Sequence, residues 1–337
     1  MRLFRRSNSP ISAHPISAFW EWWTSQGHTI DPHQQSPALE QLSRKVAAIH
    51  PDLTWSFGPG RESKHRLTVS AGGTAEVRPT AQRWLHAAPP ENAVWEFRSS
   101  QEADPNALGN VLEIAGSELD LSETRFRAEA SARKLRVHVG VYHPAFPDLP
   151  EPARLQVTFL VLDWLLGEDD VERWLGHIEA LETAPAELVT GAGLLHAVAS
   201  VAEQQDRDKW TLLRWEDADG VPTIASFRQV LRWIDYPTLD VHNGVHAAFA
   251  AQANGLPADG AALDPLRRLE DELESLLGFR GLLVGHETTS GRRTFHVYTD
   301  GEDQNVGAAM NDWARSNHLA IEPTPDPAWR RVRQFTG

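Results

Sequence analysis

A chain of 337 residues, 41% of them apolar, is long enough for two domains of ordinary size and apolar enough to give each a core. Its formal charge of −14 and isoelectric point near 5.5 argue against general nucleic-acid binding, which draws on a dense lysine and arginine surface. The absence of cysteine excludes a disulfide scaffold, thiolate catalysis and cysteine-ligated zinc or iron–sulfur centres. The charged start lacks the apolar stretch of a secretory signal, and no run approaches the roughly 18 apolar residues of a membrane span, so a cytoplasmic protein without membrane contact is expected. The compact basic clusters, Arg2, Arg5 and Arg6 and then Arg330, Arg331 and Arg333, fall at the ends and read as solvated tails over 1–15 and 324–337.

In chain order, residues 16–26 predict a helix with Ile16, Phe19, Trp20 and Trp23 on one stripe, Trp22 off it and Gly27 as its stop. A second helix follows over 37–49. Strands are expected at 53–57 and 65–70 around Gly58-Pro-Gly60, where a phosphate cradle is conceivable but a plain hairpin fits better, because no Gly-Lys-Ser/Thr ending follows. A short helix bearing Trp84 and a strand at 93–97 come next. Further strands are expected at 111–114, 124–130 and 135–141, a buried helix at 153–166, a strand at 174–181 and a long helix at 186–205. The charged break at 206–209 is the expected boundary between a domain over 16–205 and one over 206–323, which opens with a hairpin at 210–227.

Residues 238–322 read as a complete packed unit. A strand alternating Val241, Val245 and Ala247 against His242, Gly244 and His246 is followed by a helix opening at Asp264-Pro265 with leucines at three-and-four spacing. A hairpin at 282–299, a helix with Val306, Met310 and Trp313, and a short last strand complete the order of a split β-α-β, or ferredoxin-like, sandwich. The fold class expected is therefore α+β, with two mixed sandwich domains, the C-terminal one ferredoxin-like with an extra N-terminal hairpin. If Glu287 lies opposite Arg292, then Leu282, Val284, Phe295 and Val297 point under the helices, and Thr294, His296 and Tyr298 point to an open face beside His242 and His246.

That open face is the candidate site. On a strand, four residues span about 13 Å, too far for His242 and His246 to share one zinc through bonds of roughly 2.1 Å, so ordinary half-exposed histidines are the plainer reading. Glu270, Asp271, Glu272 and Glu274 lie away from the leucine stripe and read as a solvated face, and Glu168, Asp169 and Asp170 lie at a helix end. No nucleophile elbow, zinc-protease, phosphate-loop or dinucleotide motif occurs.

Trp210 to Trp215, Ile234-Asp-Tyr-Pro237, Asn254-Gly-Leu-Pro257, Leu269-Glu-Asp-Glu-Leu273 and Phe295-His-Val-Tyr-Thr299 resemble the bacterial family called domain of unknown function 695, over 208–322. That family is similar in fold to the ribonuclease E inhibitor B family, small proteins that regulate by binding. The resemblance implies a non-catalytic protein-binding or regulatory role, as an adaptor or an antagonist of a toxin or nuclease; no cofactor and no metal are expected. Trp22, His242, His246, Glu287, Arg292, Thr294, His296 and Tyr298 are the binding residues expected. The rival is a hydrolase or metal-dependent enzyme with a cleft between domains, using His242, His246, His296 and Glu287.

Overall fold

The computed structural model describes residues 14–336 apart from 35, 105, 207 and 230. Arg2, Arg5 and Arg6 lie outside these. Internal contacts gather into two units, Met1–Ser100 and Gln101–Gly337, so the break expected at 206–209 falls inside the second unit. The fold is α+β.

The first unit comprises α1 (Pro15–Ser25), α2 (Pro37–Ile49), β1 (Thr54–Pro59), β2 (His65–Ser70), α3 (Arg78–His86) and β3 (Trp95–Arg98). β1 and β2 form the expected antiparallel hairpin, and β3 joins β2 in parallel, a geometry that requires the crossover supplied by α3. Its core is aromatic. Trp20 stacks on Trp84 with centroids 4.7 Å apart and donates its indole N–H to the Trp84 carbonyl at 2.8 Å. Trp22, expected off the packed stripe, is buried as well, edge-on to Phe19 and Trp23. It stands three residues after Phe19 and so shares its helix face. Gly27 lets the chain turn against these rings, since a Cβ there would lie 2.6 Å from Trp23 Cε3.

The glycine loop after β1 does hold an anion, but one from the chain itself. The buried Glu96 carboxylate accepts from the backbone N–H groups of Arg61 at 3.0 Å, Glu62 at 3.3 Å and Ser63 at 3.4 Å. Burial alone would push Glu96 up; these N–H groups and Arg98 outweigh it and hold the carboxyl below its usual range.

The second unit begins with the hairpin of β4 (Val111–Ile114) and β5 (Ser117–Asp120), then β6 (Arg125–Ser131), β7 (Arg136–Tyr142), α4 (Glu151–Leu166), α5 (Glu168–Trp174), β8 (Leu175–Leu181) and α6 (Gly191–Ala202). β8 returns parallel to β7 by way of α4 and α5, and Val157, Val161 and Leu162 of α4 pack with Phe126, Val137, Val139 and Val141. Helix α6 is shorter than expected because Thr190 caps it by accepting from Gly193 N. Glu168, Asp169 and Asp170 form the first turn of α5, where carboxylates suit the positive end of the helix.

There follow β9 (Trp210–Glu216), β10 (Pro222–Arg228), β11 (Val241–Ala248), α7 (Gly260–Leu277), β12 (Gly281–Thr289), β13 (Arg292–Thr299), α8 (Gln304–Ser316), β14 (Ala320–Pro325) and α9 (Arg333–Thr336). They build a six-stranded antiparallel sheet in the order β14-β11-β13-β12-β10-β9. Its first four strands have the order of the split β-α-β sandwich, and the hairpin of β9 and β10 extends it beyond β12. Helix α7 starts before Asp264-Pro265, because Asp259 caps it by accepting from Ala262 N at 3.0 Å. The register also differs from expectation. Glu287 faces Thr294, and a shift between Leu283 and Gly285 places Leu283, not Leu282 or Val284, under the helices with Phe295 and Val297. Leu282 and Val284 lie on the reverse face with Tyr298. The three-stranded and six-stranded sheets of this unit are tied by polar contacts: Arg173 Nε to Asp235 Oδ1 at 2.7 Å, and Arg232 to the Lys134 and Leu135 carbonyls at 2.8 and 3.1 Å.

Asp163, near the end of α4, offers a test of this packing. Burial, with Glu168 adding to it, pushes its carboxyl up to about 6. An acid whose folded value exceeds its unfolded one is best tolerated when protonated, so its stability contribution falls as pH rises from about 4 to 6. Asp163→Asn is expected to stabilise the fold by about 1–2 kcal/mol at pH 7, after discounting for partial exposure, and by nothing below about pH 4. Denaturant titrations at both pH values check the sign.

Candidate functional site

Residues paired directly across an antiparallel ladder share a face. On the side of the six-stranded sheet away from α7 and α8, His242 lies opposite Tyr298, Gly244 opposite His296 and Glu322, His246 opposite Thr294, and Thr294 opposite Glu287. The sequence reading of this set as one face is therefore right. His242 Nε2 and His296 Nδ1 are 2.9 Å apart and share a buried hydrogen bond. His296 Nε2 faces Glu287 Oε1 at 3.8 Å, an ion-pair distance too long for a hydrogen bond. The carboxylate favours a proton on His296 Nε2, which makes Nδ1 the acceptor and His242 Nε2 the donor; this tautomer is assigned from the charge. His246 Nδ1 bonds the Thr294 hydroxyl at 3.0 Å, and its Nε2 lies 3.6 Å from Glu322.

Gly244 leaves room for both flanking rings to lean over the strand: a Cβ there would stand 3.6 Å from Cε1 of His242 and of His246. The two imidazoles thus converge more than strand spacing alone implies, yet each is engaged with a different partner. Among the described residues no group of three or more histidine, aspartate or glutamate side chains is arranged to hold a metal ion.

The expectation that this face is open is corrected by the residues expected to be a tail. After β14 the chain turns back across it. Asp326 N donates to the Asp240 carbonyl at 2.7 Å, and the Asp326 carboxylate accepts from the Tyr298 hydroxyl at 2.6 Å and from Arg330 N and Arg331 N at 2.9 and 3.0 Å. Trp329 stacks on Tyr298 with centroids 4.3 Å apart and donates to the Leu239 carbonyl at 2.8 Å; Phe335 stacks on Phe227 at 4.0 Å and lies 5.9 Å from His296. Under this strap Tyr298, His242 and His296 are 0%, 4% and 7% exposed. Thr294 is buried too, Glu287 and His246 are half-buried, and Arg292 and Glu322 reach solvent. Trp22 belongs to the aromatic core of the first unit and is no surface anchor.

Burial, then the neighbouring His296, pushes His242 down to about 3, while His296 beside it holds the Glu287 carboxyl low. Burial and the Asp326 carboxylate keep the Tyr298 phenol protonated far above its usual range. The imidazoles of His242 and His296 bond each other, with the Glu287 carboxylate beyond His296 and the Asp326 carboxylate beneath Tyr298. On the helix side, Glu270 is half-buried and not solvated as expected, 3.5 Å from His286 Nδ1 and 4.0 Å from Arg293.

Sequence reasoning missed the surface the fold leaves open. β9 is a sheet edge, and Leu212 is 73% exposed, with Trp210 and Trp215 at 36% and 39%. Leu212 lies opposite Ser226, which lies opposite His286, so it sits on the helix side of the sheet, beyond the cover of α7. Arg228 spans the gap, with its guanidinium 5.3 Å over the Trp210 ring and Nη2 3.1 Å from Glu274 of α7. The sequence signal was the three apolar positions Trp210, Leu212 and Leu213 beside Trp215, too many for a strand with only one buried side.

Two outcomes test the closed face. Because the folded value of His242 lies below its unfolded one, the unfolded chain binds the extra proton, and stability is lost as pH falls from about 6.5 toward 3. The His242 ring resonances are expected to stay in the neutral position down to about pH 4, and His242→Gln to flatten the acid limb of the stability curve. Trp329→Ala is expected to cost about 3–5 kcal/mol and to speed amide exchange in β13 relative to β6. No helix among the described residues is long and apolar enough to cross a membrane. The chain matches no family model, no curated protein and no solved structure.

Proposed function

We propose that this chain is a non-catalytic protein-binding or regulatory protein of the cytosol, an adaptor or an antagonist of a toxin or nuclease, and that its contact element is the free edge β9. The observation that carries the reading is that edge: a seven-residue strand at the border of the sheet whose outward side chains include the exposed Trp210 and Leu212. Natural sheets blunt such edges or use them, and exposed aromatic and aliphatic groups beside unpaired backbone suit the addition of a partner's strand. The resemblance to the domain of unknown function 695 family, and through it to binding regulators of the ribonuclease E inhibitor B type, supports the same reading.

The hydrolase reading has weaker support. His242 and His296 bond each other beneath Trp329 and Phe335, so neither imidazole is offered to a substrate. On the binding reading, Leu212→Lys is expected to abolish capture of whatever proteins the immobilised chain retains, and His246→Ala, on the polar face, to leave it intact. The opposite pattern would move the contact to the histidine face and overturn the assignment to β9.

A further inference from the structure

Resting on that reading, we infer that the strand which pairs with β9 is β9 of a second copy, joined antiparallel about Leu212. The two edges of the sheet are not equivalent. At β14, Asp326 N bonds inward to Asp240, so by ladder alternation Pro323 and Pro325 occupy the positions whose donors would point outward, and neither has one. That edge is blunted.

At β9, Gln229 N bonds inward to the Lys209 carbonyl and Asp217 N bonds inward to the Val221 carbonyl. Alternation then turns the N–H and C=O groups of Trp210, Leu212, Arg214 and Glu216 away from β10, and among the described residues no strand of the sheet lies beyond them. The same four residues share one face. A strand whose outward groups are evenly spaced can be its own partner, and the side chains decide the register. Centring on Arg214 would set two guanidinium groups against each other. Centring on Leu213 would set Leu212 against Arg214 and Trp210 against Glu216. Centring on Leu212 sets the two most exposed strand leucines against each other and places Trp210 of each copy opposite Arg214 of the other, an aromatic and cation pair on both sides of the dyad. The product is one continuous sheet through both copies, with the bare face beyond α7 covered by its symmetry mate.

The absence of cysteine allows the register to be read directly. In a hydrogen-bonded antiparallel pair the facing Cα atoms are about 5.5 Å apart, within the roughly 4.4–6.8 Å that a disulfide spans. Leu212→Cys is expected to give a covalent dimer on mild oxidation. Arg214→Cys is not, because its copies would lie about 13 Å apart along the strands. By sedimentation the native chain is expected to be dimeric, more tightly as salt screens the repulsion between two chains of charge −14. Leu212→Lys is expected to raise the dimer dissociation constant about tenfold or more without altering the far-ultraviolet spectrum. A native chain that sediments as a monomer at about 100 μM, roughly a hundredfold above a micromolar dissociation constant, overturns self-pairing. If Leu212→Lys still abolishes capture of other proteins in that case, β9 binds a foreign strand and the broader reading stands. A dimer that survives Leu212→Lys, or that crosslinks equally as Arg214→Cys, also overturns the inference.

Discussion

A sheet with both helices on one side has a second side that must be covered, and here the cover is anchored by one buried polar contact. The Tyr298 hydroxyl donates to Asp326, whose carboxylate also caps the backbone of Arg330 and Arg331 and so sets the turn that lays Trp329 and Phe335 over the sheet. An acceptor that takes three donors at once is well compensated for its burial, and the aromatic stacking on Tyr298 and Phe227 supplies the apolar area. Without that turn, His242, His296 and Tyr298 would be a solvated polar strip.

The strap also fixes what the histidines can do. A buried imidazole pair keeps its hydrogen bond only while at least one nitrogen lacks a proton, and burial favours the neutral state. The network therefore specifies how β11 and β13 pack under the strap, and it reaches toward solvent through Glu287, which is half-buried.

Most of the second unit's order was legible because period-two strands and three-and-four leucine stripes survive in the sequence of 238–322. The reading failed where regularity breaks. The shift between Leu283 and Gly285 moves Val284 to the reverse face, which no count of alternation from a fixed start can foresee. Asp264-Pro265 is a stronger local start signal than Asp259, the residue that caps the helix. Trp22 lies three residues from Phe19 and four from Ala18, so its packing was readable from helical spacing once more than one stripe was allowed. At the other end, three arginines stand among Trp329, Val332 and Phe335, whose spacing of three is the apolar signal of a docked turn. The exposed side of β9 leaves one trace, apolar residues on both faces of the strand, and the same trace would serve a strand buried on both sides.

The turn that holds Glu96 has a wider consequence. Three amides converging on a point would ordinarily attract phosphate or another small anion from solution. A carboxylate tethered within the same small sheet competes at an effective concentration that no dissolved metabolite approaches. The loop is therefore a receptor that carries its own permanent guest.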